Sequence, residues 1–187
     1  MFRMMLLATI AVLPAACAGF EPFVPDTARL TTAQLGSGFD PDVTAINQAQ
    51  WAFADSGRTY GRPIEAARAA ASLEYVAGQF YTSPRWSRIS ALTKEQLLQG
   101  RIEVRAALGI PLNAPSQAVV DHLTAAGNAL AAGDQPAALA LLSGPPFTTP
   151  ADQVLGRLSN MPYLRMANVS TMRAANELFD SNSEERL

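Results

Sequence analysis

Apolar residues recur along this chain at helical spacing in successive stretches, each bounded by a capping residue, a glycine or a proline. Asp40-Pro41 reads as an N-cap followed by proline at the first helical position, and Val43, Ile46, Ala49 and Phe53 then share a face until Ser56-Gly57 breaks it. Pro63 opens a second helix that runs to about Tyr81. Ile64, Ala67, Ala71 and Val76 lie on one side of it, and Ala66, Ala70, Leu73, Ala77 and Phe80 on another, which predicts a central helix surrounded by neighbours. Ser83-Pro84 ends it. In the third helix Thr93 and Gln96 read as a capping box and Leu92 with Leu97 as a hydrophobic staple. Leu97, Val104 and Leu108 form its inner stripe, widened by Leu98 and Ile102. Gly109 is a left-handed C-cap, Ile110 supplies the accompanying apolar contact, and Pro111 prevents continuation.

A fourth helix is expected from about Ser116 to Ala132, with Val119, Val120, Leu123 and Leu130 inward and Gly133 as its stop. Asp134 caps a short fifth helix carrying Ala138, Leu139 and Leu142, which ends at Gly144-Pro145-Pro146. Thr149-Pro150 starts a sixth, with Val154, Leu155 and Leu158. Asn168 or Ser170 caps a seventh, with Val169, Met172, Ala175, Leu178 and Phe179. No stretch shows sustained alternation with β-branched residues, so essentially no strand is expected. The predicted fold is all-α, a compact bundle of about six to seven helices over residues 41–180, followed by a polar tail at 181–187. Between His122 and Pro146, the residues Ala126, Gly133, Asp134, Ala138 and Pro145 resemble one tetratricopeptide-type hairpin, a family that stacks helix pairs into peptide-binding grooves. A generic helical hairpin accounts for the same residues, since a solenoid needs about three repeats.

The first residues follow a different pattern. Met1-Phe2-Arg3 precedes an apolar run from Met4 to Leu13 and a small-residue exit, Pro14-Ala15-Ala16-Cys17-Ala18, which matches a secretory signal. As a helix the run reaches about 15 Å, half a bilayer core. The exit resembles the lipobox of bacterial lipoproteins. That resemblance implies a signal peptide of residues 1–16, a mature chain that begins with Cys17 acylated on sulfur and on its amino group, and attachment to a membrane through this residue. It further implies the periplasmic side of the envelope, with the outer membrane favoured because Ala18 rather than Asp follows the cysteine. Pro14 stands where the family prefers leucine. Ala16-Cys17-Ala18 also fits an ordinary cleavage site, which would release a soluble periplasmic or secreted protein. Residues 17–40, with Pro22, Pro25, Gly36 and Gly38, read as anchor and linker. Its aromatics Phe20, Phe23 and Phe39 either pack on the domain or are incidental to a mobile lead.

Composition narrows the function classes. With 187 residues, 49% hydrophobic and 16% charged, the chain can build one real core and is not of the disordered class. A net charge of −2 supplies no general field for nucleic acid. One cysteine and one histidine exclude an internal disulfide and leave too few ligands for a structural zinc site. No phosphate loop or dinucleotide fingerprint occurs, and no cofactor or metal is expected. A histidine-based triad would have to use His122, whose neighbour Asp121 points elsewhere on a helix.

Two candidates for chemistry remain. Between the second and third helices, Tyr81, Arg85, Trp86 and Arg88 have the residue types of a binding hot spot. The competing reading places Phe80 and Trp86 in the core with the arginines covering its edge. Tyr60 and Arg62 make a similar loop. Glu74 lies inside the helix expected to be most buried and is the first acid to examine as a general acid. The expected function is therefore an exported, lipid-anchored envelope protein that binds or scaffolds another protein without catalysis. The alternatives are an enzyme acting on an envelope polymer through a buried carboxylate, and an accessory subunit of a membrane complex.

Overall fold

A computed structural model describes residues 25–30 and 40–184, and every regular element among them is helical. Seven α-helices follow in order: α1 (Pro41–Phe53), α2 (Pro63–Thr82), α3 (Ala91–Leu108), α4 (Ser116–Ala131), α5 (Gln135–Leu141), α6 (Ala151–Ser159) and α7 (Arg165–Glu184). Short 3₁₀ turns at Ser56–Arg58 and Pro84–Trp86 link the first three. The chain is an all-α bundle. None of these helices is long and apolar enough to cross a membrane.

The two-sided apolar pattern of α2 makes it the axis of the bundle. It contacts α1, α3, α4 and α6, and its residues from Ala66 to Gly78, except Arg68, are buried. Runs of alanine let four neighbours approach at once, because a methyl side chain sets the shortest interaxial distance short of glycine. Gly100 does the same for α3 against α7, where a Cβ would stand 2.7 Å from Ser170 Oγ and 3.1 Å from Ala167 Cα. Asp40 caps α1 as expected, its Oδ1 accepting from the Asp42 and Val43 N–H groups. Gly109 closes α3 at φ 73°, with the Ile110 N–H donating 2.8 Å to the Arg105 carbonyl and Ile110 buried. Gly133 is left-handed at φ 77°, and Asp134 caps α5 through the Ala137 N–H. Ala126 and Ala138, two residues of the hairpin resemblance, are fully buried.

Several boundaries differ from the sequence reading. Helix α3 begins at Ala91, capped by the Ser90 hydroxyl accepting from Thr93 N–H, and not at a Thr93–Gln96 box. Thr93 is drawn inward because its hydroxyl donates 2.6 Å to Glu177 on α7, and the supposed staple residue Leu92 is exposed. Helix α7 begins at Arg165, before the Asn168 or Ser170 caps read from sequence. Its first N–H groups are satisfied from another helix, the Glu103 carboxylate accepting from Met166 and Ala167 at 2.7 and 3.0 Å. A cap supplied in three dimensions leaves no local signature. Helix α7 also continues to Glu184, into the segment expected as a polar tail, because a polar sequence does not stop a helix already anchored by Leu178. Ile102, read as widening the apolar stripe of α3, is exposed, as are Met172 and Phe179 among the apolar residues of α7.

Residues 25–30 carry no helix and lie against the bundle with Pro25 and Ala28 buried. This part of the expected linker is a strap on the domain. Phe20, Phe23 and Phe39 lie outside the described residues, as do the signal and Cys17.

Candidate functional site

Two buried carboxylates organise the polar interior. The first, Asp42, sits in the first turn of α1 and is 2% exposed. Its Oδ1 accepts from the Tyr75 hydroxyl at 2.5 Å, and its Oδ2 from Trp86 Nε1 at 2.8 Å and Arg85 Nη1 at 3.1 Å. Arg85 also bonds Asp40, and its guanidinium lies 4.4 Å over the Trp86 ring. Trp86 is buried against Phe80 with ring centroids 4.9 Å apart. Burial pushes the Asp40 carboxyl up, but the Arg85 hydrogen bond, the two capping N–H groups and the Arg85 charge outweigh it, so it lies below its ordinary value. Burial, then the hydrogen bond to Asp42, push the Tyr75 phenol well above its ordinary value.

Of the four residues read from sequence as a binding surface, Trp86 and Arg85 thus meet in this cluster. Tyr81 is half-buried and Arg88 exposed. The charge of Glu95 and a hydrogen bond to it raise the Tyr81 phenol. Phe80 and Trp86 fill the core while Arg85 lies over the face of the indole. Tyr60 is exposed on its loop, whose Gly61 N–H donates to the Ser159 carbonyl. His122 is half-buried, its Nδ1 2.7 Å from the Leu141 carbonyl.

The second carboxylate is Glu74, 3% exposed at the centre of α2. Arg105 grips both its oxygens, Nε to Oε2 at 2.9 Å and Nη2 to Oε1 at 2.6 Å. The same guanidinium donates to the Leu112 and Pro111 carbonyls and to Ser116 Oγ. Arg101, one turn earlier on α3, lies 3.8 Å from Glu74 Oε1 and donates to Ser116 Oγ and, at 2.9 Å, to the Asp26 carbonyl of the strap. Burial first, and the neighbouring charge of Arg105, lower the Arg101 guanidinium against the pull of Glu74 and Asp26. A carboxylate held this way is an anchor for two cations. Its lone pairs face guanidinium donors, so it is not placed to hand a proton to a substrate.

The strap completes this cluster. The Asp26 carboxylate accepts from Ser116 N–H at 2.6 Å, at the first turn of α4. The Gln117 side-chain amide holds the Arg29 main chain from both sides, Oε1 accepting from its N–H at 2.8 Å and Nε2 donating to its carbonyl at 3.2 Å. Gly78 of α2 makes room beneath, since a Cβ there would stand 2.8 Å from the Asp26 carbonyl oxygen and 3.0 Å from Thr27 Cα. Leu30 then helps line a cavity of about 10 Å³ with Gln48, Ser72 and Thr124, room for a single water.

Sequence reasoning singled out Glu74 and missed Arg101, Arg105, Ser116, Gln117 and the strap. A signal was present. Arg101 falls on the stripe of Leu97, Val104 and Leu108, and a charge at core spacing on a buried face demands a partner. Among the described residues no group of three or more His, Cys, Asp or Glu side chains is placed to hold a metal ion. No family model, curated protein or solved structure matches the chain.

Proposed function

We propose that this is an exported cell-envelope protein, anchored to a bacterial membrane through acylated Cys17, whose helical domain binds another protein and performs no catalysis. The export and anchoring part rests on the lipobox-like run Leu13 to Cys17 and its apolar lead. The binding part rests on one observation above the others: the domain holds a non-helical stretch of polypeptide, the strap, through helix side chains that grip its main chain. The two buried carboxylates support a non-catalytic reading, since each is engaged by arginine, tyrosine or tryptophan donors.

Mass spectrometry of the mature chain from its native cell tests the anchor. A first residue Cys17 carrying acyl chains is expected, and a chain that starts after Ala18 or retains Met1 overturns it. Crosslinking in intact cells tests the partner, and a chain that yields no crosslinked species overturns the binding reading. A second reading, an accessory subunit of a membrane complex, is favoured by Met172 and Phe179, which are seven residues apart on one exposed stripe of α7.

A further inference from the structure

The strap supplies acceptors to the arginine and serine donors beneath it. Arg101 and Arg105 are 9% and 3% exposed and face Glu74, a single carboxylate of the helical core. Asp26 is exposed and brings a further negative charge nearby: its carboxylate accepts from the Ser116 and Thr27 N–H groups, and its main-chain carbonyl is what Arg101 binds. Without the strap, the groove formed by α2, α3 and the start of α4 would lose the carbonyl that Arg101 binds and the acceptor at Ser116 N–H, leaving buried donors to be met by water or by another segment. The recognition is also generic. Arg101 reads the main-chain carbonyl of Asp26, Gln117 reads the N–H and carbonyl of Arg29, and the Asp26 carboxylate lies at Ser116 N–H. The Thr27 and Arg29 side chains are exposed. Apart from one aspartate and the small residues at buried positions, these contacts ask little of the sequence seated there.

We propose that this groove is a receptor site for a non-helical peptide segment bearing an aspartate, that residues 25–30 occupy it in cis, and that a partner's acidic segment takes their place. The proposal rests on the protein-binding reading above and gives it a location and a partner chemistry. The cis segment acts as an intramolecular competitor, because its tether keeps it at high effective concentration. A partner therefore engages only when its segment is itself held nearby, as between two proteins on one membrane, or when the strap is weakened.

The test uses the full chain in detergent and a fluorescein-labelled peptide with the sequence of residues 25–30, read by fluorescence anisotropy. Asp26→Ala weakens the strap by freeing the Ser116 N–H and changes no side chain of the groove itself. It is expected to bind the peptide saturably and at least about ten-fold more tightly than the unaltered chain, whose strap competes. Replacing the peptide's aspartate by asparagine is expected to weaken binding by about ten-fold or more, the loss of a charge-assisted hydrogen bond. Arg29→Pro is a second route to the same state, since it deletes the N–H that Gln117 accepts and leaves every groove residue in place. The proposal is overturned if the folded variants bind no better than the unaltered chain, or if the asparagine peptide binds as well. It is equally overturned if neither variant folds, because the groove then cannot stand empty for a partner. A partner crosslinked to another face of the domain would keep the protein-binding reading while these peptide results sink the groove.

Discussion

The Glu74–Arg105 pair is a buried, two-point ion pair on the central helix, and Glu74→Gln measures it. The amide keeps the shape of the side chain and one acceptor oxygen. It replaces the other oxygen with an NH₂ group that meets a guanidinium donor 2.6 or 2.9 Å away, donor against donor. Arg105 is then left with the one amide oxygen, the carbonyls of Leu112 and Pro111 and the Ser116 hydroxyl, all neutral. Arg101, 3.8 Å from the same acid, loses its counter-charge as well. Breaking a buried ion pair by removing one partner costs about 3–5 kcal/mol. At about 2–4 °C per kcal/mol for a domain of this size, the melting temperature should fall by about 10 °C. The comparison is Glu65→Gln. Glu65 lies 3.9 Å from Arg68 on the surface of α2, both side chains 37% exposed, and its removal should change stability by no more than about 0.5 kcal/mol. Urea denaturation followed by helical circular dichroism at pH 7 reads both. A Glu74→Gln loss below about 1 kcal/mol, the scale of an exposed pair, would refute the argument that two buried arginines depend on this carboxylate.

Three further outcomes are expected. Gly109→Ala forces a methyl group into a left-handed position and onto the Thr149 hydroxyl and Cβ, and should cost about 2 kcal/mol or more in the same denaturation assay. Asp42→Ala leaves Trp86 Nε1 and the Tyr75 hydroxyl without their acceptor. It should destabilise by about 2–4 kcal/mol and shift the tryptophan emission, whereas an unchanged spectrum would place Trp86 elsewhere. The pH dependence has two limbs. The Asp40 carboxyl lies below its ordinary value, as does Glu177, where the bonds from Thr93 and Ser90 and the Arg173 charge outweigh burial. Both therefore contribute stability above their unfolded values that is lost as pH falls through the folded ones, and urea midpoints should drop below about pH 4. Tyr75 lies above its ordinary value, so its contribution is complete below pH 10 and fades above it. Absorbance titration should find that the Tyr75 phenol ionises at higher pH than a free phenol.

What the sequence disclosed and what it withheld divide along a physical line. Signals that act within a few residues were legible: the Asp40 and Asp134 caps, the left-handed Gly109, and the two-sided apolar pattern that makes α2 the axis. Features made by residues far apart were not. Glu103 caps α7 from 63 positions away, Glu177 fixes the start of α3 from 87, and Asp26 caps α4 from 90. Phe179 and Met172 had helical spacing but meet no partner face among the described residues, since α7 meets the bundle through Ala167, Ala174, Ala175 and Leu178. The candidate groove shows both sides. Glu74 was marked by its place in a buried helix, while its occupant lay in a proline-containing stretch that reads as linker.

If Cys17 is the membrane anchor, the strap also sets how far the domain can stand from the bilayer. Under the anchoring proposed here, eight chain steps join Cys17 to Pro25, so a docked strap holds the groove edge within about 28 Å of the bilayer surface. Once the strap leaves the groove, the tether runs to Asp40, 23 steps, and its limit rises to about 80 Å. Engagement of a partner segment and release of the domain from the membrane would then be one event. Energy transfer from a dye at Gln135→Cys, on the exposed start of α5, to an acceptor lipid in vesicles carrying the acylated chain reads this distance. Transfer should fall when Asp26→Ala is added or when the acidic peptide is supplied in excess. Transfer that stays constant in a chain shown to bind the peptide would mean that the strap stays seated and that the peptide binds elsewhere.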